Sequence, residues 1–214
     1  MSARTVEDRL REQYADILPD VRRALTELEA RVRYAIMPIA LELKARYEQL
    51  VIRRRIKDCE SAVAALRRRQ EGKLFDPESS DDYSLVSLRD LAGLRVLVFP
   101  SGRIESVTSA LSRVFPDWSE DHVRGEAENV IAHKFFGHCQ GNDKIICEYQ
   151  VVPMLVGLFW EVEHAAIYKP DQRLVGVTRE PKMREKTQAV LAALTEFEVE
   201  FTALVEEAGA RGSP

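Results

Sequence analysis

Between Gly93 and Pro153 the apolar residues stop recurring every three or four positions and begin to alternate or run together. That change of period constrains the fold more than any other feature, because a pattern of period two cannot sit on a helix. GLRVLVF (Gly93–Phe99) is rich in β-branched residues and closed by Pro100-Ser101-Gly102. DHVRGE, NVIAHKFFGHC and KIICEYQVVP follow as further strand candidates, the last two joined by the turn-rich QGND. IESVTSALSRVF (Ile104–Phe115) lies among them as an amphipathic helix, with Ile104, Val107, Leu111, Val114 and Phe115 inward.

Helical periodicity brackets this block. Val21, Leu25, Leu28, Val32, Ile36, Ile39, Leu43, Tyr47 and Leu50 form one stripe on a long helix, which Pro38 is expected to kink or split. A second helix is expected from about Ile56 to Gln70, another over Met154–Tyr168, and a last over Met183–Ala208 with Val190, Leu194, Phe197, Phe201 and Leu204 buried. Glu71–Ser84 and Asp171–Pro181 read as loops. The order predicts an α+β fold: a mixed sheet of four to five strands packed by N- and C-terminal helices, in one domain over 1–214. Its parts are N-terminal helices (1–70), sheet and core (88–170) and a C-terminal helix (181–208).

Composition limits the function classes. Of the residues, 45% are hydrophobic and 31% charged, enough for a real core, and the net charge of −4 argues against nucleic-acid binding through global charge. A local basic pocket is still open. No apolar run would span a bilayer, the N-terminus lacks a signal-peptide pattern, and three cysteines without CxxC spacing read as reduced thiols, so a cytoplasmic location is expected.

Four stretches carry chemistry. RRRIKDCESAVAALRRR (Arg53–Arg69) places Lys57, Ser61 and Arg68 near one helical face, with Arg55 at the entry; bare helix N–H groups beside cations suit a polyphosphate, and a solvated basic face is the plainer alternative. In DLAGLRVLVF, Asp90 precedes a strand, Gly93 permits close approach, and Arg95 sits inside an apolar run, where it must snorkel, stack on something planar or pair, Asp90 being the plain partner. In KIICEYQVV, Glu148 and Gln150 share a face with Ile146. In WEVEHAAIYKP, Trp160, His164 and Tyr168 stack at helical spacing, with Lys169 and Pro170 after them. His133, His138, Cys139 and Cys147 match no common zinc spacing, so zinc is not expected from them.

Together these stretches resemble the synthetase domain of the RelA/SpoT family in its small, single-domain form. The family's basic helix motif reads Arg55, Lys57, Ser61 and Arg68; its Asp-x-x-Gly-x-Arg reads Asp90, Gly93 and Arg95. Its Glu-x-Gln reads Glu148 and Gln150, and its Glu-His-x-x-x-Tyr-Lys-Pro reads Glu163 to Pro170. The resemblance implies a nucleotidyltransferase-like sheet and transfer of pyrophosphate from ATP to the 3′-hydroxyl of GTP or GDP, making (p)ppGpp. It implies that Asp90 and Glu148 hold Mg²⁺ and are the catalytic residues. Arg55 and Arg95 would sandwich adenine, Lys57, Ser61 and Arg68 would cradle phosphates, and Asn129, His133, Gln150 and His164 would face the acceptor.

Departures from the family pattern keep other readings open. Ala65 replaces a lysine, and Asn129 stands where a tyrosine stacks on guanine; losing such a ring removes about 1–3 kcal/mol of base binding. Val151, Val152 and Pro153 follow Gln150 in place of Ile-Arg-Thr. The alternatives are a catalytically eroded nucleotide-binding or regulatory module, or a toxin-type relative acting on tRNA or an adenine nucleotide. The helical stripes would serve either an intramolecular core or a homo-oligomer.

Overall fold

The computed structural model describes residues 5–70, 83–124, 130–168 and 181–211. Helix α1 (Val6–Glu42) starts at a capping box, Thr5 and Asp8 satisfying each other's backbone N–H groups. It runs unbroken through Pro19 and Pro38, so of the two outcomes expected at Pro38, a kink or a split, the split does not occur. Its buried stripe, Leu10, Val21, Ala24, Leu25, Leu28, Val32 and Ile36, holds the helix on the sheet up to the turn before Pro38. Tyr47 and Leu50 fall outside it.

The next element corrects the sequence reading. Gln49–Ile56, whose end was assigned to a helix start, is strand β1, and helix α2 spans Cys59–Gln70. Strand β2 (Ala92–Phe99), helix α3 (Ile104–Val114) and strands β3 (Ser119–Arg124), β4 (Val130–Cys139) and β5 (Asn142–Pro153) follow. The β4–β5 turn uses Gly141 at φ 80°, a conformation that glycine adopts without a Cβ clash. Helix α4 (Met154–Glu163) leads into a π-helical turn over His164–Tyr168, and helix α5 spans Pro181–Arg211. The Asp171–Pro181 stretch, read as a loop, lies outside the described residues except for Pro181, which opens α5.

The five strands form one sheet in the order β1-β2-β5-β4-β3. Only β2 and β5 are parallel, so the sheet is mixed and the fold is α+β with helices at both chain ends. Register divides the sheet into two faces. Leu94, Val96, Phe135, Tyr149 and Val151 point to the face covered by α1 and α3, which holds the main core. Gly93, Arg95, Leu97, Glu148, Gln150 and Val152 point the other way. Among the described residues, α4 and α5 cover only one end there, over Leu97, Ala132 and Val152, and leave the other end open.

Helix α5 docks by a mixed stripe rather than the apolar one expected. Val190, Phe197 and Leu204 are exposed, and the inward positions are Leu191, Leu194, Glu198 and Phe201. Glu198 is 1% exposed, and its Oε1 accepts from the Leu155 N–H at 2.6 Å. A carboxylate from α5 thus caps the start of α4, where the N-cap residue Pro153 supplies no side-chain acceptor.

Candidate active site

The open end of the second sheet face is a cavity of about 690 Å³. Its floor is β1, β2 and β5, contributing Arg53, Arg55, Gly93, Arg95, Glu148 and Gln150, and its wall is the end of α4, with Trp160, Glu161, Glu163 and His164.

Strand pairing determines the charge pattern on that floor. Arg53 lies directly opposite Arg95, and Arg55 opposite Gly93, so three guanidinium groups share one small area. Like charges directly opposite each other on a sheet are destabilising, unless an anion offsets them. Arg95 donates from Nε to Gln150 Oε1 at 3.1 Å and from Nη1 to the Gly157 carbonyl at 3.3 Å. Its guanidinium carbon is 5.8 Å from the Trp160 ring centroid, a cation–π contact. Burial lowers the Arg95 pKa, the charge of Glu161 opposes that, and the charge of Arg55 adds to it. Arg95 pairs with Gln150 and not with Asp90, the plain partner that the sequence offered. Arg53 and Arg55 have no carboxylate within ion-pair distance among the described residues.

Glu148, the acid inside an apolar strand, is 7% exposed and opens into this cavity beside Gly93. A Cβ built on Gly93 would stand 3.8 Å from Glu148 Oε2, an ordinary contact. The protein's own packing therefore does not require glycine there, and its effect is to keep the cavity floor clear beside the carboxylate. The Glu148 carboxylate carries no hydrogen bond among the described residues, so its oxygens are available to a ligand or cation.

Asp90 precedes β2, and Lys57 follows β1, at the same end of the sheet. Lys57 Nζ and Asp90 Oδ2 form an ion pair with both groups at least partly buried, and the Lys57 N–H donates to the Leu91 carbonyl at 3.0 Å. Neither lines the cavity itself.

The remaining expected residues are dispersed. Ser61 and Arg68 lie on α2. The N-terminus of α2 is not bare: Asp58 caps it, accepting from the Ser61 N–H at 2.8 Å and the Ser61 hydroxyl at 2.5 Å. His164 lines the cavity at the start of the π-helical turn, an irregularity common at functional sites. His133 pairs with Val151, on the face opposite Glu148 and Gln150, so it does not join the cavity. Asn129, Lys169 and Pro170 are outside the described residues. Sequence reasoning missed Arg53 and Glu161. The signal for Arg53 was alternation with Arg55 along a strand not recognised as one.

No protein-family model matches the sequence, and no curated protein does. Solved structures do. The small alarmone synthetase 1 from Bacillus subtilis superposes with a TM-score of 0.66 at 17% identity, over 93% of this chain and 99% of the other. Its structure bound to AMPCPP gives 0.62 at 16% identity, and that bound to its product pppGpp gives 0.68 at 18%, with the same coverage. The fold is that of a small alarmone synthetase. The mixed sheet packed by N- and C-terminal helices that the sequence predicts is therefore present, and the chain spans nearly the whole of these neighbours.

Proposed function

We propose that the protein is a pyrophosphotransferase, moving the β,γ-pyrophosphate of ATP to the 3′-hydroxyl of GTP or GDP. One observation carries the reading: Arg53, Arg55 and Arg95 crowd one sheet face around the Glu148 carboxylate, an arrangement stabilised by a bound polyanion. That the neighbours were solved with AMPCPP and pppGpp supports a donor adenine nucleotide and a guanine product.

Arg55 and Arg95 bracket the adenine, Arg95 held in position by Gln150 and the Gly157 carbonyl. Arginine suits this task because its planar fork stacks and stays charged. Arg53 neutralises phosphate charge, with Lys57 and Arg68 adding positive charge from outside the cavity and Ser61 a hydroxyl now bonded to Asp58. Gln150 and His164 orient the acceptor. The acceptor 3′-oxygen attacks the β-phosphorus, the bond from that phosphorus to the α–β bridging oxygen breaks, and AMP leaves. Glu148 takes the hydroxyl proton. The residues contribute positioning and charge neutralisation, with no covalent intermediate.

Asp90 and Glu148 are the carboxylates that would hold Mg²⁺. Both offer hard oxygen; Glu148 opens into the cavity with its oxygens unengaged among the described residues, and Asp90 would have to exchange its ion pair with Lys57 for the metal. A bound Mg²⁺ would supply positive charge to offset that of the phosphates.

A second reading, nucleotide binding without transfer, is favoured by Ala65 and by Asp58, whose carboxylate fills the α2 terminus expected to take phosphate. Purified protein with Mg²⁺ and β-labelled ATP, offered GTP, GDP, ATP and tRNA separately, decides between them. Label on GTP or GDP, lost in Glu148→Ala, supports the proposal. Label on a 3′-pyrophosphorylated adenine nucleotide or on tRNA identifies a toxin-type acceptor, and ATP binding without label on any acceptor supports the binding module.

A further inference from the structure

The geometry points to a transition-metal site, of a chemistry that takes Zn²⁺, built from Glu120, His122 and His133 on the sheet face opposite the nucleotide cavity. Glu120 and His122 are two residues apart on β3 and project to one face; His122 lies directly opposite His133 on β4, so pairing alone brings the three together. One ligand atom from each lies within 4.8 Å of the other two.

One separation already suits a shared cation, and the other is a direct hydrogen-bond contact that a bound ion would widen by a few tenths of an ångström. His133 Nδ1 is 3.0 Å from Glu120 Oε1, and His122 Nδ1 is 3.6 Å from the same oxygen. Bonds of 2.0–2.2 Å to a tetrahedral zinc place neighbouring ligand atoms about 3.3–3.6 Å apart. A hydrogen-bonded surface cluster accounts for only part of this. It satisfies His133, but 3.6 Å is beyond a hydrogen bond, and His122 Nδ1 is sealed from water with no partner among the described residues. A metal between the three atoms would satisfy that nitrogen and exchange the direct His133–Glu120 contact for one bond from each residue to the ion. The rings stand edge to face, 86° apart with centroids at 5.0 Å. Two imidazoles and one carboxylate suit zinc better than the magnesium of a two-carboxylate site, and three protein ligands leave a position for water. Glu120, His122 and His133 keep side-chain exposures of 44%, 32% and 26%, so the cluster lies near the protein surface.

The test is metal binding by the full chain, independent of nucleotide turnover. Chelator-stripped protein is titrated with Zn²⁺ against a chromogenic chelator, and with Co²⁺ as a spectroscopic probe, in a Cys59→Ser background that removes the half-buried thiol. The expected result is one equivalent bound, a four-coordinate Co²⁺ spectrum, and a metal-dependent rise in melting temperature. His122→Ala, His133→Ala and Glu120→Gln should each weaken binding about 100-fold or more, since changes one shell further out already cost about 10–100-fold. His138→Ala, on the exposed end of β4, should leave it unchanged. Equal affinity in the parent and His122→Ala, or loss only in His138→Ala, overturns the proposal. Circular dichroism of each stripped variant separates lost ligation from lost folding, and His122→Asn and His133→Asn replace any alanine variant that does not fold.

Discussion

Raising the pH through neutrality should weaken the hold of α5 on α4, and the Glu198 carboxyl sets the size of the effect. Burial pushes its pKa from an ordinary 4.5 up to about 7, opposed by hydrogen bonds from the Leu155 and Val156 N–H groups. Only one of its oxygens is placed to use them well, because Oε2 is buried without a partner among the described residues. The folded state therefore holds the proton more tightly than the unfolded chain does. The stability this contributes is complete below pH 4.5 and is lost as the pH rises through about 7. The gap between those values corresponds to about 3 kcal/mol, most of it lost between pH 5 and 8. Glu198→Gln keeps an acceptor for Leu155 and cannot ionise. In urea unfolding the parent should lose about 2–3 kcal/mol more than Glu198→Gln between pH 5 and 8. Equal pH slopes in the two proteins would refute the reasoning.

Two further substitutions test packing around the site. Gly157→Ala places a Cβ 2.3 Å from Leu97 Cδ2, beneath the helix whose carbonyl holds Arg95; urea unfolding should show about 1–3 kcal/mol of destabilisation, and nucleotide affinity should fall with it. Tyr149→Phe removes a hydroxyl that is buried with no partner among the described residues, while keeping the ring stacked on Phe135 at 4.6 Å. It should raise stability by about 1 kcal/mol, measured in the same way.

Period and turn chemistry made β2, β4, β5 and α3 legible, because each is half or fully buried and carries the alternation or stripe that burial demands. Strand β1 escaped notice for the opposite reason. It is an edge strand whose face towards the cavity carries Arg53 and Arg55, so its alternation is cationic rather than apolar and merges with the basic helix after it. The same misreading put Lys57 on a helical face when it lies between β1 and α2. Helix α5 misled through Glu198: a carboxylate between Phe197 and Val199 reads as solvent-facing, and only the uncapped start of α4 explains its burial. The Glu148–Gln150 face and Arg95 could be read from strand alternation. The position of His133 could not, since its face depends on the register between β4 and β5.

The central claim is that Glu148 acts on a bound nucleotide rather than holding the cavity together. Calorimetric titration of Glu148→Gln with a non-hydrolysable ATP analogue, beside its rate of acceptor-dependent AMP release, tests this most directly. The account predicts analogue binding within a few-fold of the parent and a rate at least about 100-fold lower, the scale of general acid–base help. Turnover close to the parent's, or turnover lost only in proportion to lost binding, would contradict it.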